Sequence, residues 1–162
     1  MKIDIIADTH VRLPTQELRE LLAGPFQDVE MILHAGDLIE LPVLETFGDK
    51  KVLAVWGNHD WTSVRRKLPQ KRIIEAGRFK IGLIHGGGTP EFIEHEVSRE
   101  FENVDCKVYG HVHTPNQNLT KRNGILLFNP GAFWGGPHGD SRKSFGVLHV
   151  DDRILGEIRY FD

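Results

Sequence analysis

Apolar residues in this chain of 162 amino acids come in short β-rich runs, each ending at a glycine-rich or polar loop. Ile3, Ile5 and Ile6 predict a first strand. Leu18, Leu21 and Leu22 have helical spacing, and Gly24-Pro25 ends that helix. Residues 31–33 predict a second short buried strand, 42–47 a short helix closed by Gly48, and 52–56 a third strand. Strand and helix alternate here as in βαβ units around a parallel core. The second half changes character. Residues 72–75 and 79–84 flank Ala76-Gly77-Arg78 as a hairpin. Thr89-Pro90-Glu91 opens a helix whose apolar stripe is Ile93, Val97 and Phe101, with Val104 beyond it. Residues 107–109 predict a further strand. The pairs 119–122 with 125–128, around Asn123-Gly124, and 145–150 with 154–160, around Asp151-Asp152, predict two more hairpins. The expectation is a mixed α/β domain over residues 1–162, with a parallel-type first half and a hairpin-rich second half.

Composition narrows the class. A 40% hydrophobic and 27% charged content is ordinary for a soluble globular protein. A formal charge of −3 gives no basic footprint, so a dedicated nucleic-acid surface is disfavoured. The densest basic run, Arg65-Arg66-Lys67, reads as a solvated loop. Cys106 is the single cysteine, so no intramolecular disulfide can form, and its apolar neighbours predict a buried thiol. No run approaches the roughly 20 apolar residues of a membrane span. The first apolar stretch is interrupted by Asp4, unlike a signal peptide. The expected location is cytoplasmic.

The chemistry sits at the strand ends. Five motifs follow one another: Asp8-Thr9-His10, Gly36-Asp37, Gly57-Asn58-His59-Asp60, His85-Gly86 and Gly110-His111-Val112-His113. Each offers oxygen or imidazole donors, and ligands on several strand ends converge on one edge of a sheet. An Asp/His/Asn set suits borderline transition metals better than calcium, and no thiolate takes part. An aspartate can be shared between two cations if each oxygen faces one of them. A hydrolytic site of that kind holds its two cations roughly 3.5–4 Å apart.

These motifs resemble the pattern of the calcineurin-like metallophosphoesterase superfamily: D-x-H, G-D, G-N-H-D/E, H, then G-H-x-H. The match extends to Asn129-Pro130-Gly131, which looks like the loop of the small bacterial and archaeal phosphodiesterase branch. The resemblance implies a four-layer α-β-β-α sandwich of two mixed sheets flanked by helices. It implies two divalent transition-metal ions, manganese foremost, with iron, zinc, nickel or magnesium as alternatives. One ion would use Asp8, His10, Asp37 and His113. The other would use Asp37, Asn58, His85 and His111. His59 would stand beside the substrate as a catalytic group, and a hydroxide bridging the metals would attack phosphorus. With two carboxylates and that hydroxide the site keeps one positive charge, matching a monoanionic phosphodiester. The expected activity is that of a phosphodiesterase on a small phosphorylated substrate. A phosphomonoesterase or nucleotidase is the rival, and a non-catalytic interaction scaffold of the same fold is the rival from another class. A homo-oligomer is compatible with either.

Other residues keep two readings. Asp60 either orients His59 in catalysis or caps a turn, and Asn129 either serves the site or satisfies loop backbone. Trp61, Phe133 and Trp134 either stack on a substrate ring or pack their loops. Trp56 reads as core, His34 as a buried supporting histidine, and His95 and His149 as uninvolved. His138 is ambiguous. The chain also departs from its branch. It keeps His59 where many small members have cysteine, reads Gly86-Gly87-Gly88 where a second histidine is common, and has Pro137-His138 in place of a Pro-Arg pair. His-Gly-Gly is shared with protein Ser/Thr phosphatases, but Gly36-Asp37-Leu38 lacks their D-R-G continuation.

Overall fold

The computed structural model describes residues 1–120, 123–135 and 142–161. Ten strands form two five-stranded sheets. In the first, β1 (Lys2–Ile6), β2 (Met31–His34) and β3 (Val52–Ala54) run parallel. Two antiparallel strands, β9 (Ser144–Val150) and β10 (Ile154–Tyr160), extend it beside β1. In the second, β5 (Phe79–Ile84), β6 (Cys106–Val108) and β8 (Leu126–Asn129) run parallel. Antiparallel β4 (Lys71–Ala76) and β7 (Asn116–Leu119) close its edges.

The alternation of side chains along β1 explains the layering. Ile3 and Ile5 face a core shared with Leu33, Ile81, Leu83, Val108 and Phe128, which lies between the sheets. Ile6 faces the other way and packs with Leu18 and Leu21 of α1 (Gln16–Ala23), Val43 of α2 (Pro42–Glu45) and Val64 of α3 (Thr62–Lys67). On the outer side of the second sheet, Ile84 and Leu127 pack with Ile93 and Val97 of α4 (Ile93–Arg99). Three separate apolar clusters thus give helix, sheet, sheet, helix. Phe128 keys the two sheets together. Its ring lies so close to Gly146 of β9 and Gly156 of β10 that a Cβ at either position would collide with it.

The structure corrects several local expectations. The second half is not simply hairpins, because β5, β6 and β8 form a second parallel trio. Arg65-Arg66-Lys67 is the last turn of α3, not a loop. Val64 is buried, and basic residues there complement the partial negative charge of the helix terminus. The strand before Asn123-Gly124 lies earlier than expected, at Asn116–Leu119, and the hairpin closes through the Thr120 amide donating to the Ile125 carbonyl at 2.9 Å. Trp56 lies beyond β3 and is half-buried.

One buried charge stands on the helix-facing side of β1. Asp4 is fully buried, with the Lys2 ammonium 3.3 Å away and Arg159 and His149 near enough to draw on its charge. Burial pushes its carboxyl up to about 6, against the opposing pull of Lys2. Unfolded aspartate titrates near ~3.9, so the folded state holds this proton more tightly. The ionised form costs stability, and that cost grows between about pH 4 and about pH 6 and is complete above it. Asp4→Asn is therefore expected to raise the Tm at pH 7.5. The gain should shrink as the pH falls towards 4, as read by thermal unfolding across that range.

Candidate metal centre

The five motifs follow β1, β2, β3, β5 and β6, and Asn129 ends β8, with Pro130 just beyond it. The two parallel trios therefore bring all their carboxyl-terminal loops to one edge of the sandwich. Local backbone there is unusual. Asp8, His10, Asp37, Ile39 and His111 all have positive φ, between 49° and 78°. Such conformations cost of order 1–3 kcal/mol each in non-glycine residues and persist where the surroundings over-determine them. Hydrogen bonds supply that determination. The Asp8 amide donates to the Gly36 carbonyl, the His10 amide to the Asp37 carbonyl, and the Gly110 amide to the His85 carbonyl.

Two donor clusters meet at Asp37. In one, His10 Nε2 and His113 Nε2 each lie 3.6 Å from Asp8 Oδ1 and 3.3 Å from one another, and His10 Nε2 is 3.8 Å from Asp37 Oδ2. In the other, His85 Nε2 is 3.3 Å from Asp37 Oδ2 and 3.0 Å from Asn58 Oδ1, which is 2.9 Å from His111 Nδ1. Asp37 Oδ2 thus faces both. Its Oδ1 accepts the backbone N–H of His59 at 2.8 Å. Gly57 permits this, because a Cβ there would overlap that oxygen.

The donor set fits cations. Asp8 Oδ1 is buried with no hydrogen-bond partner among the described residues. His85 Nδ1 donates to the Ala35 carbonyl at 2.7 Å, and His111 Nε2 donates to the Gly88 carbonyl at 3.0 Å. In their neutral forms those tautomers would leave an acceptor nitrogen of each ring facing Asn58 Oδ1, and that of His85 also facing Asp37 Oδ2. Acceptors converging on acceptors need a positive charge between them, and backbone carbonyls holding the far ring nitrogen are how ligating histidines are oriented. The groups Asp8–His10–His113 and Asp8–Asp37–His85 each bring their donor atoms within 4.8 Å.

Electrostatics agree. Burial would raise the Asp8 and Asp37 carboxyls, but contacts from His10 and His113 on the first, and from His85 on the second, outweigh it and hold both below the usual range. The nearby Asp8 carboxylate raises His113. Burial opposes charge on His85, yet Asp37 and Asp8 raise it as well. His34 is the buried supporting histidine. Its Nδ1 accepts from the Gly36 amide and its Nε2 meets Thr9 Oγ1, and burial pushes it down to about 4.

Asp60 is not placed to orient His59. Oδ2 accepts the amides of Gly57 (2.7 Å) and Asp37 (3.1 Å), and Oδ1 accepts that of Ile39 (2.6 Å). It ties the second and third motif loops together, and burial raises its carboxyl. Asn129 also serves loop backbone, donating to the Val112 and Thr114 carbonyls and accepting the Gly131 amide. Phe133 is buried in the outer core. Trp61 and Trp134 are exposed and line a cleft with Arg12, His10 and His59. His138 lies outside the described residues. Arg65, unassigned from sequence, donates to the Asn58 and Asp60 carbonyls and braces the third motif. Its only signal was a cation a turn after that motif.

A four-layer sandwich carrying Asp, His and Asn loops on one edge defines the metallo-dependent phosphoesterases. Residues 1–153 match the calcineurin-like phosphoesterase superfamily domain, and the chain belongs to that superfamily. It is 35% identical over 136 residues to a probable metallophosphoesterase of Methanocaldococcus jannaschii, covering 82% of this chain and 68% of that one. A phosphodiesterase from the same organism is 27% identical over 172 residues, covering 98% of both. Among solved structures, an archaeal phosphodiesterase superposes with a TM-score of 0.75 at 21% identity, over 99% of this chain and 100% of the other. Vps29 from Entamoeba histolytica, solved with zinc, does so with a TM-score of 0.70 at 24% identity, over 100% of both chains. At those identities the shared property is the fold. Among the described residues, no helix is long and apolar enough to cross a membrane.

Asp60→Asn tests the loop tie. One acceptor oxygen becomes an N–H₂ facing backbone donors, and an unmet buried hydrogen bond typically costs about 1–3 kcal/mol. Denaturant unfolding should show a loss of that size at unchanged m-value.

Proposed function

We propose that this chain is a metal-dependent phosphodiesterase with a dinuclear centre. The observation that carries the reading is Asp37 Oδ2, which stands 3.8 Å from His10 Nε2 and 3.3 Å from His85 Nε2, between two donor clusters. Asp8, His10, Asp37 and His113 would hold one cation, and Asp37, Asn58, His85 and His111 the other. When bound, two divalent metals supply Lewis acidity at phosphorus and lower the pKa of a coordinated water. Kinship with a phosphodiesterase of M. jannaschii supports diesters over monoesters.

The chain's own residues do the remainder. Asp8 and Asp37 are buried and ionised, which offsets cationic charge and leaves a monoanionic phosphate a fitting partner. Asn58 turns its carbonyl oxygen inward between His85 and His111. His59 is exposed, its amide fixed on Asp37 Oδ1 and its ring 5.4 Å from that of His10. That position lets imidazole protonate a departing oxygen or hold the phosphate oxygens. A scaffold reading rests on the fold shared with Vps29, and the complete donor set together with an exposed His59 speaks against it.

After reconstitution with manganese, elemental analysis is expected to find two ions per chain. Asp37→Ala should lose both, His113→Ala mainly one and His111→Ala mainly the other. A maximum of one ion in the folded wild-type protein would end the dinuclear model.

His59→Ala should keep both ions and lose about 10²–10⁴-fold in kcat on diesters. A general acid predicts that the loss grows with leaving-group pKa and shrinks for nitrophenolate. A uniform loss would identify phosphate holding instead. Full activity on every diester would remove His59 from the reaction.

A further inference from the structure

Two large apolar side chains stand exposed beside the centre: Trp61 at 47% and Trp134 at 42% exposure. Both are tethered by backbone to metal-site loops. The Trp61 amide donates to the Ile39 carbonyl at 3.2 Å, and the Trp134 amide to the Asp8 carbonyl at 3.3 Å. The Trp134 ring lies 5.5 Å from that of His10, and the Arg12 guanidinium lies over the Trp61 ring at 4.8 Å. These residues and His59 line one cleft of about 560 Å³, within the range of small-molecule sites. Half-exposed indoles fixed next to a reactive centre are platforms for a planar ring, because aromatic faces stack on any base.

His59 fixes the direction. On the proposed function, on which this inference rests, His59 assists the departing oxygen, and it opens into this same cleft. We infer that Trp61 and Trp134 form a specificity subsite for a planar aromatic ring carried by the leaving alcohol. A nucleoside is the alcohol of that kind that the tests below use. Arg12, stacked on Trp61 with Glu40 3.8 Å away, orients the indole and places a cation at the mouth of the cleft. The second cleft beside the centre, past His85 and Gly86, is lined by Glu96 and Glu100. That cleft also carries aromatic rings, Trp56 and Phe92, but its carboxylates oppose an anionic ester where Arg12 on the His59 side favours one.

Two measurements on the metal-reconstituted protein test this. The first is calorimetric binding of phenylphosphonate and methylphosphonate, whose C–P bonds are not hydrolysed. The wild type should bind the phenyl compound roughly tenfold or more tightly, and Trp61→Ala and Trp134→Ala should each erode that preference at unchanged metal content. Trp134→Phe should restore it. The second is steady-state kinetics on diesters with an adenosine or a methanol leaving group. Each Trp→Ala change should raise KM for the adenosine diester roughly 5- to 100-fold and leave the methyl diester within about twofold. No phenyl preference in the wild type, or an equal preference in both alanine variants, overturns the subsite. If Trp134→Ala loses metal through its contact with His10, Trp61→Ala alone decides. A wild type that hydrolyses no diester would sink the proposed function, while the binding ratio would still decide the subsite.

Discussion

The site end of this molecule is organised by one constraint: a cluster of acceptor atoms held together before any cation is counted. Asp37 Oδ2, Asn58 Oδ1, His85 Nε2 and His111 Nδ1 face one another because every competing partner is already engaged. Ala35 takes the far nitrogen of His85, Gly88 that of His111, and His59 the second oxygen of Asp37. With both histidines neutral, lone pairs aimed at one another would repel in a low-dielectric interior, and a divalent ion between them would relieve that repulsion. Metal affinity and selectivity in such a centre come from these outer contacts as much as from the ligands themselves.

That constraint propagates into the backbone. Asp8, His10, Asp37 and His111 occupy the left-handed region, where a non-glycine residue persists only if its neighbours leave it no choice. The neighbours here are the strand ends. Three parallel strands in each sheet deliver their loops to the same edge; Asp60 and Asn129 bind neighbouring loops to one another through backbone groups, and Arg65 braces the third motif. These three residues are polar side chains spent on geometry. Their chemistry resembles that of functional residues, so sequence alone leaves their roles open.

The rim differs from the floor. The carboxylates are buried and their charge is strongly biased towards the ionised form. Above them His59, Trp61 and Trp134 are exposed. On the proposed function, a charged floor under an exposed aromatic rim would separate two tasks: the floor would bind what all phosphate esters share, and the rim would distinguish what they carry. Phe133, adjacent in sequence to Trp134, instead packs in the outer core. Successive residues diverge because the chain leaves the sandwich between them.

Much was legible from the residues. The five motifs are local strings with distinctive donor types, and each does lie just past a strand. The amphipathic spacing of α1, the Ile93 and Val97 face of α4, the stop at Gly24 and the hairpin of β4 with β5 are also local, and they hold, although α4 starts later than Thr89-Pro90-Glu91 and ends before Phe101. The second parallel trio was not legible, because pairing β5 with β6 and β6 with β8 joins segments distant in sequence, and nothing in a short run encodes its partner. The basic run of α3 was misread because one buried residue, Val64, decides its helicity, and burial is a tertiary property. The engagement of Asp37 Oδ1 by the His59 amide could not be read either, since a carboxylate's two atoms are identical until a neighbour claims one. The sequence by itself determined which chemistry the chain carries, because donor type is a property of each residue. Only the tertiary structure decided which donors meet and which polar groups merely hold them, because those are distances, and distances arise when the two sheets pack.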